Sequence, residues 1–321
     1  MGINNFLPLK KKTKNFLISR KFNRPVFIIS PPRAGSTFLF DCLRRFEEFV
    51  SLNVEADKIW WSFLPYEKMA YPCDFIAFEP GKRNLYSAID ETCQKEAYFL
   101  FEKSLDSNAR KWLSLASLKG KRYLDKTIAN CFRLDVLNAL HPDATYLFLV
   151  RDPRANISSM LEGWNHCELM GKPQLTPLLS NITPRTIDHW SYPAPPQWQA
   201  IISKPLEYIC AWSWCQHVEH ILDFFDKTRS NCFFVRYEDL FEDTVATIAD
   251  IARTLNIRLN QSVLDYLNSP SLSRTTISKP GHDKWKHKNY DQILSILPVI
   301  GETAARIGYD VSIGLQPGEL L

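Results

Sequence analysis

Apolar positions along this chain follow two alternating spacings. Val26-Phe27-Ile28-Ile29 is an unbroken apolar run of strand length, and after a small-residue turn Phe38, Leu39, Cys42, Leu43 and Phe46 recur at helical spacing. Tyr123-Leu124 reads as a short strand, and Leu134, Leu137 and Leu140 as one face of a helix that ends before His141-Pro142-Asp143. Tyr146 to Val150 is a further strand, Leu206 to Phe225 a helix and Cys232 to Val235 a strand. Val245, Ile248, Ile251, Ala252 and Leu255 then mark the inner face of another helix. Strands with no polar alternation are covered on both faces. The pattern therefore predicts an α/β fold, a three-layer sandwich whose central parallel sheet carries helices on both sides and binds ligands at the carboxyl ends of its strands.

Two regions break this rhythm. Residues 50 to 80 are dense in aromatics, including Trp60, Trp61, Phe63, Tyr66, Tyr71, Phe75 and Phe78, which fill a core or line an acceptor pocket. Prolines at 173, 177, 184, 193, 195, 196 and 205 exclude a long helix between 171 and 205, so that stretch is expected as an irregular insertion, either a lid or a surface excursion. Neither repeats nor a linker divide the chain. We expect one domain over residues 25–321, preceded by a basic arm over residues 1–24.

Composition narrows the class. Apolar content of 45% with 23% charged residues is that of a soluble globular protein rather than a disordered chain or a membrane bundle. A formal charge of +4 suits a site for a polyanionic nucleotide but not the dense basic surface of a nucleic-acid binder. No apolar run is long enough to span a bilayer, and a cytoplasmic location is expected. Lys10-Lys11-Lys12-Thr13-Lys14 allows at most weak contact with an anionic membrane surface, the plainer reading being a solvated terminus. The eight cysteines lack Cys-x-x-Cys spacing and are expected to be reduced core residues. Nothing in the sequence fixes the oligomeric state.

The chemistry concentrates at two strand-to-helix junctions. Ser30-Pro31-Pro32-Arg33-Ala34-Gly35-Ser36-Thr37 follows the first strand, where converging backbone N–H groups at a helix start favour an anion. Compared with G-x-x-x-x-G-K-[ST], it keeps Gly35 and Thr37 but has Ser30 for the first glycine and Ser36 for the lysine. The strand ending at Val150 leads directly into Arg151-Asp152-Pro153, an arginine where a triphosphatase is expected to place a magnesium-supporting aspartate. A guanidinium there repels a metal ion and binds a phosphate in a bidentate fork. Asp152 and Pro153 suit a helix start, which puts Ser158 and Ser159 about two turns on.

These residues resemble the sulfotransferase family. Pro32 to Thr37 looks like its 5′-phosphosulfate loop, and Arg151 with Ser159, eight positions apart, like its 3′-phosphate motif. Leu124-Asp125-Lys126-Thr127, Arg236 to Leu240 and Ser278 to Lys286 continue the resemblance in family order. It implies a P-loop-like fold and, as co-substrate, 3′-phosphoadenosine-5′-phosphosulfate (PAPS), with 3′,5′-adenosine bisphosphate (PAP) as product and no metal. An arginine in a Pro-Arg-x-Gly loop is closer to the bacterial, carbohydrate and tyrosylprotein members than to the cytosolic steroid and phenol type. The latter carry a Lys-Thr-His histidine base, whereas this chain reads Lys126-Thr127-Ile128.

The implied site has Arg33, Ala34, Gly35, Ser36 and Thr37 at the 5′-phosphosulfate, Arg151 and Ser159 at the 3′-phosphate, and Tyr237, Ser278 and Lys279 completing the nucleotide pocket, with Lys284 and Lys286 ranked below Lys279. Tyr237 reads equally as a core tyrosine. Arg33 and Lys126 are the expected catalytic cations. Glu55 lies beyond Arg33 at a spacing like that of the tyrosylprotein enzymes' glutamate, which makes it the candidate base, with Asp57 the substitute. His217 and His220 share a helix face without a third ligand nearby, a poor metal site. The acceptor is a hydroxyl of a carbohydrate, peptide tyrosine, lipid or small molecule. The rival readings are a small-molecule kinase and a non-catalytic nucleotide-binding adaptor.

Overall fold

The computed structural model describes residues 23–52, 55–57, 74, 120–164, 166, 184–228, 230–273, 275–281 and 283–312. Most of the aromatic stretch over 50–80, and the arm before residue 23, lie outside them. Strands β1 (Val26–Ile29), β2 (Phe49–Val50), β3 (Arg122–Asp125), β4 (Thr145–Val150) and β5 (Cys232–Arg236) form one sheet in the order β2-β3-β1-β4-β5. Every pairing is parallel. The register sets Val26 opposite Thr145 and Ile29 opposite Phe148, so the turns that leave β1 and β4 emerge side by side.

Helices α1 (Ser36–Leu43), α2 (Leu134–Leu140), α3 (Pro153–Trp164), α4 (Leu206–Thr228), α5 (Tyr237–Glu242), α6 (Thr244–Leu255), α7 (Gln261–Asn268), α8 (Trp285–Lys288) and α9 (Tyr290–Arg306) complete the described elements. Alternate residues of β1 and β4 face opposite cores. Phe27, Ile29, Tyr146, Phe148 and Val150 pack with residues of α2, α3, α4 and α9, while Val26, Ile28, Leu147 and Leu149 pack with those of α1, α6 and α7. Burial on both sides is why these strands carry no polar alternation. The α/β three-layer fold expected from the sequence is the one observed.

The proline-dense region is described from residue 184 onward. Its described part has no long helix, as expected, and holds a 3₁₀ turn over Trp198–Ile201. That described part is packed rather than exposed, since Ile187, Trp190, Tyr192, Ala194, Trp198 and Ile202 are all buried in the main core. Proline removes helix hydrogen bonds but does not keep a chain from packing. Asp74 ties in here through its Oδ2, which accepts from the Ala194 amide at 2.8 Å. Arg133, fully buried, donates to Asp74 Oδ1 at 2.7 Å and to Asp57 Oδ1 at 3.2 Å. Arg133→Met should cost roughly 3–5 kcal/mol in urea unfolding, since it strands two carboxylates against a low-dielectric core.

Candidate active site

The β1 turn is held from below and closed above. Asn156 of α3 donates its Nδ2 to the Pro32 carbonyl at 2.6 Å, and Arg33 takes a positive φ of 66°. Gly35 caps α1 at φ 102°, and its carbonyl accepts from Phe38 and Leu39 at 3.0 and 3.2 Å. The Ser36 and Thr37 amides belong to the helix's first turn, where N–H groups lack intrahelical acceptors. A side chain at Gly35 is excluded twice over. The positive φ strains any L residue, and a Cβ would lie 2.5 Å from Cδ2 of Tyr237.

Arg151, at the end of β4, reaches this turn. Its Nη1 donates to the Arg33 carbonyl at 3.0 Å, and its guanidinium carbon lies 4.4 Å from the centroid of the Tyr237 ring. Its Nε is buried and has no hydrogen-bond partner among the described residues. Asp152 caps α3 as expected, its Oδ1 accepting from the Arg154 amide at 2.8 Å. Two turns on, Ser159 Oγ accepts from Arg33 Nε at 3.4 Å, and Ser158 Oγ accepts from Asn289 Nδ2 at 2.8 Å.

A third strand end contributes Lys126, which is buried and paired through Nζ with Glu55 Oε1. Glu55 Oε2 accepts from the Ile128 amide at 3.4 Å. Asp125 beside it takes hydrogen bonds from Thr127 at 3.2 Å and Asn130 at 2.7 Å, and burial pushes its carboxyl up to about 6.

These groups surround one cavity of about 450 Å³, within the range for small-molecule sites. Arg33, Gly35, Ser36, Thr37, Glu55, Lys126, Arg151, Ser159, Tyr237 and Ser278 line it. Ala34 lies fully buried behind the turn, and Lys279 is exposed and not among the lining residues. Lys284 lines the cavity instead, with Nζ 2.5 Å from Ser278 Oγ. Burial lowers the pKa of both Arg33 and Lys284, and neighbouring Arg151 lowers each further, so cations crowd together here. Glu162 is the nearby counter-charge. Burial alone would raise its carboxyl, but hydrogen bonds from Ser278 and Lys288 outweigh that and hold it below the usual range.

Several lining residues were not foreseen. Glu162 stands one turn beyond Ser158 and Ser159 on α3, a spacing that was there to be read. Tyr192 and Pro193 lie in the proline-dense stretch expected as a lid or a surface excursion, while Pro270 to Ser273 carried no sequence signal for this cavity. His217 and His220 hydrogen-bond through Nδ1 to carbonyls four residues back and pack on the Phe132 ring. Lys286, as expected, is an exposed charge beside buried Trp285, paired with Asp283 at 2.8 Å.

A family model described as "Sulfotransferase family" matches residues 25–192, just over half of the chain. The chain belongs to the sulfotransferase family. Comparison with curated proteins returned no match. Similar solved structures include the sulfotransferase domain from the curacin biosynthetic pathway, at 15% identity and TM-score 0.49, covering 90% of this chain and 99% of that one. The sulfotransferase domain of the Synechococcus PCC 7002 olefin synthase is similar at 17% identity and TM-score 0.46, covering 93% and 100%. A mouse sulfotransferase complexed with PAP is similar at 14% identity and TM-score 0.45, covering 88% and 84%. The family assignment rests on the sequence match.

Two outcomes follow from this geometry. Gly35→Ala should lower unfolding free energy by roughly 1–3 kcal/mol in urea, because alanine must hold the positive φ and displace the Tyr237 ring. For Asp125, the folded carboxyl titrates near 6 and the unfolded one near roughly 3.9, so between these values the folded state keeps a proton that the unfolded state has released. This group therefore makes stability fall as pH rises from about 4 to about 6 and stay level above. Urea titrations of Asp125→Asn across that window should show the fall flattened.

Proposed function

We propose that this protein transfers a sulfuryl group from PAPS to the hydroxyl of an acceptor. One observation carries the reading. Arg151 lines the cavity, touches the glycine turn through the Arg33 carbonyl, and keeps a buried Nε without a partner among the described residues. A half-buried cation whose buried Nε is short of an acceptor among the described residues is suited to a phosphate. Two anion sites then open onto one cavity, as a ligand with separated phosphates requires.

On this reading the Gly35, Ser36 and Thr37 amides hold the 5′-phosphosulfate, and Arg151 with Ser159 holds the 3′-phosphate. Arg33 and Lys126 meet the charge that grows on the bridging oxygen as its bond to sulfur breaks. The bond from acceptor oxygen to sulfur forms as Glu55 takes the hydroxyl proton, and PAP leaves. Tyr237 fixes both phosphate sites by touching Gly35 and Arg151. Lys284 replaces Lys279 as the lysine that faces the nucleotide. The cytoplasmic location and the single domain over residues 25–321 remain part of the proposal, while no feature singles out a class of acceptor. Among the described residues no helix is long and apolar enough to cross a membrane.

Calorimetry with PAP tests the assignment. Arg151→Ala should weaken binding by about a hundredfold, the loss expected for a desolvated guanidinium–phosphate pair. Equal affinity in variant and parent defeats the 3′-phosphate role. Tighter binding of magnesium adenosine triphosphate than of PAP by the parent would favour the kinase reading instead.

A further inference from the structure

The site holds Arg151 by its two visible contacts, but the backbone that delivers it is held from elsewhere. β5 ends at Arg236 and α5 begins at Tyr237, so Arg236, Tyr237 and Glu238 leave the sheet as consecutive residues beside the β4 turn. Glu238 Oε1 accepts from the Asp152 amide at 2.9 Å, the peptide directly after Arg151. Its Oε2 accepts from the Tyr309 hydroxyl at 2.6 Å, 71 residues along the chain. Tyr309 is fixed in turn, with the Arg236 guanidinium carbon 4.3 Å from its ring centroid and its own amide donating to the Ala304 carbonyl at 3.0 Å. Neither Glu238 nor Tyr309 lines the cavity.

We propose that Glu238 and Tyr309 are positioning residues that set where Arg151 stands, and so set the protein's preference for a nucleotide with a 3′-phosphate. The proposal rests on the reading of Arg151 given above. Each of the two oxygens of Glu238 accepts from one donor, and the two donors lie on different sides of the side chain. Burial and the adjoining Glu238 raise the Tyr309 phenol, which keeps the hydroxyl protonated and donating. The link therefore runs from Tyr309 through Glu238 to the Asp152 amide. Tyr237, on the same turn, presses on both Arg151 and Gly35. A shift of the Glu238 backbone moves both phosphate sites, whereas loss of its carboxylate releases only the β4 turn.

The variants separate these effects. Glu238→Gln keeps the size of the side chain but turns an amide NH₂ toward one of the two donors, and Tyr309→Phe removes only the hydroxyl while the ring stays beneath Arg236. Calorimetry would compare PAP with adenosine 5′-monophosphate, which lacks the 3′-phosphate, alongside urea unfolding of each protein. Each variant should bind PAP roughly tenfold more weakly and the monophosphate within about twofold of the parent, as one lost charge-assisted hydrogen bond behind Arg151 requires. In an Arg151→Ala background, Glu238→Gln should have no further effect on PAP. Unchanged PAP affinity in both variants, or equal losses for the two ligands, overturns the proposal. A parent protein that binds PAP no better than the monophosphate overturns the functional reading itself, and the proposal with it.

Discussion

Parallel pairing of β1 with β4 is the constraint on which the site depends. It sets side by side the carboxyl ends of two strands whose following helices, α1 and α3, pack on opposite faces of the sheet, and each delivers an arginine to the crevice between them. Arg33 and Arg151 are like charges, and their proximity is unfavourable in the absence of a counter-ion. The fold offsets this by using the Arg33 carbonyl as an acceptor for Arg151 and the Tyr237 ring as its platform. Glu162 stands near enough to stabilise Arg33, yet hydrogen bonds from Ser278 and Lys288 hold it. Four basic side chains, Arg33, Lys126, Arg151 and Lys284, line the cavity against three acidic ones, Glu55, Asp57 and Glu162, which leaves it a positive balance. Positive φ at Arg33, the cap at Gly35 and the Arg151 Nε that has no partner among the described residues are local costs of the same arrangement, and an anion in the cavity relieves the electrostatic part.

What could be read from the sequence follows from what packing enforces. β1 and β4 were legible because every residue in them is buried, which leaves an apolar run that no turn or loop produces. The β2 strand is two residues long and gives no periodicity to detect. Trp190 and Trp198 are among the largest fully buried side chains, but one sits on irregular backbone and the other in a single 3₁₀ turn, too short for burial to repeat. α9 carries a buried stripe at Ile293, Ile296 and Ile300, with Pro298 inside the helix obscuring it.

Site residues divide along similar lines. Arg33, Gly35 and Arg151 follow apolar strands directly, so their position at a strand end is local information. Lys279 and Lys284 stand five positions apart in one loop, and which of them faces inward depends on chain path, including the positive φ at Asp283 just before α8. Glu238 is beyond sequence logic for a further reason. Both of its partners are remote in the chain, so only the folded sheet reveals that its two oxygens are used.

Glu55, the candidate base by its spacing from Arg33, is held in the structure by its backbone neighbours as well as by its own side chain. Three consecutive residues are strapped to the end of β3 and the turn after it: Glu55 to Lys126 and the Ile128 amide, the Ala56 amide to Thr127 Oγ1 at 2.7 Å, and Asp57 to Arg133. Thr127 in turn donates to buried Asp125, so the strap is anchored in the sheet rather than in solvent. Exposure across the ion pair is uneven, at 4% for the Lys126 side chain and 34% for Glu55. A buried lysine is stabilised by a facing carboxylate, and one that approaches from the open side remains reachable by a second molecule. On the proposed reading, the same strap holds Lys126 toward the donor and Glu55 toward the acceptor. Cation and base are thus placed by one piece of backbone, and their separation is set by β3 rather than by the acceptor.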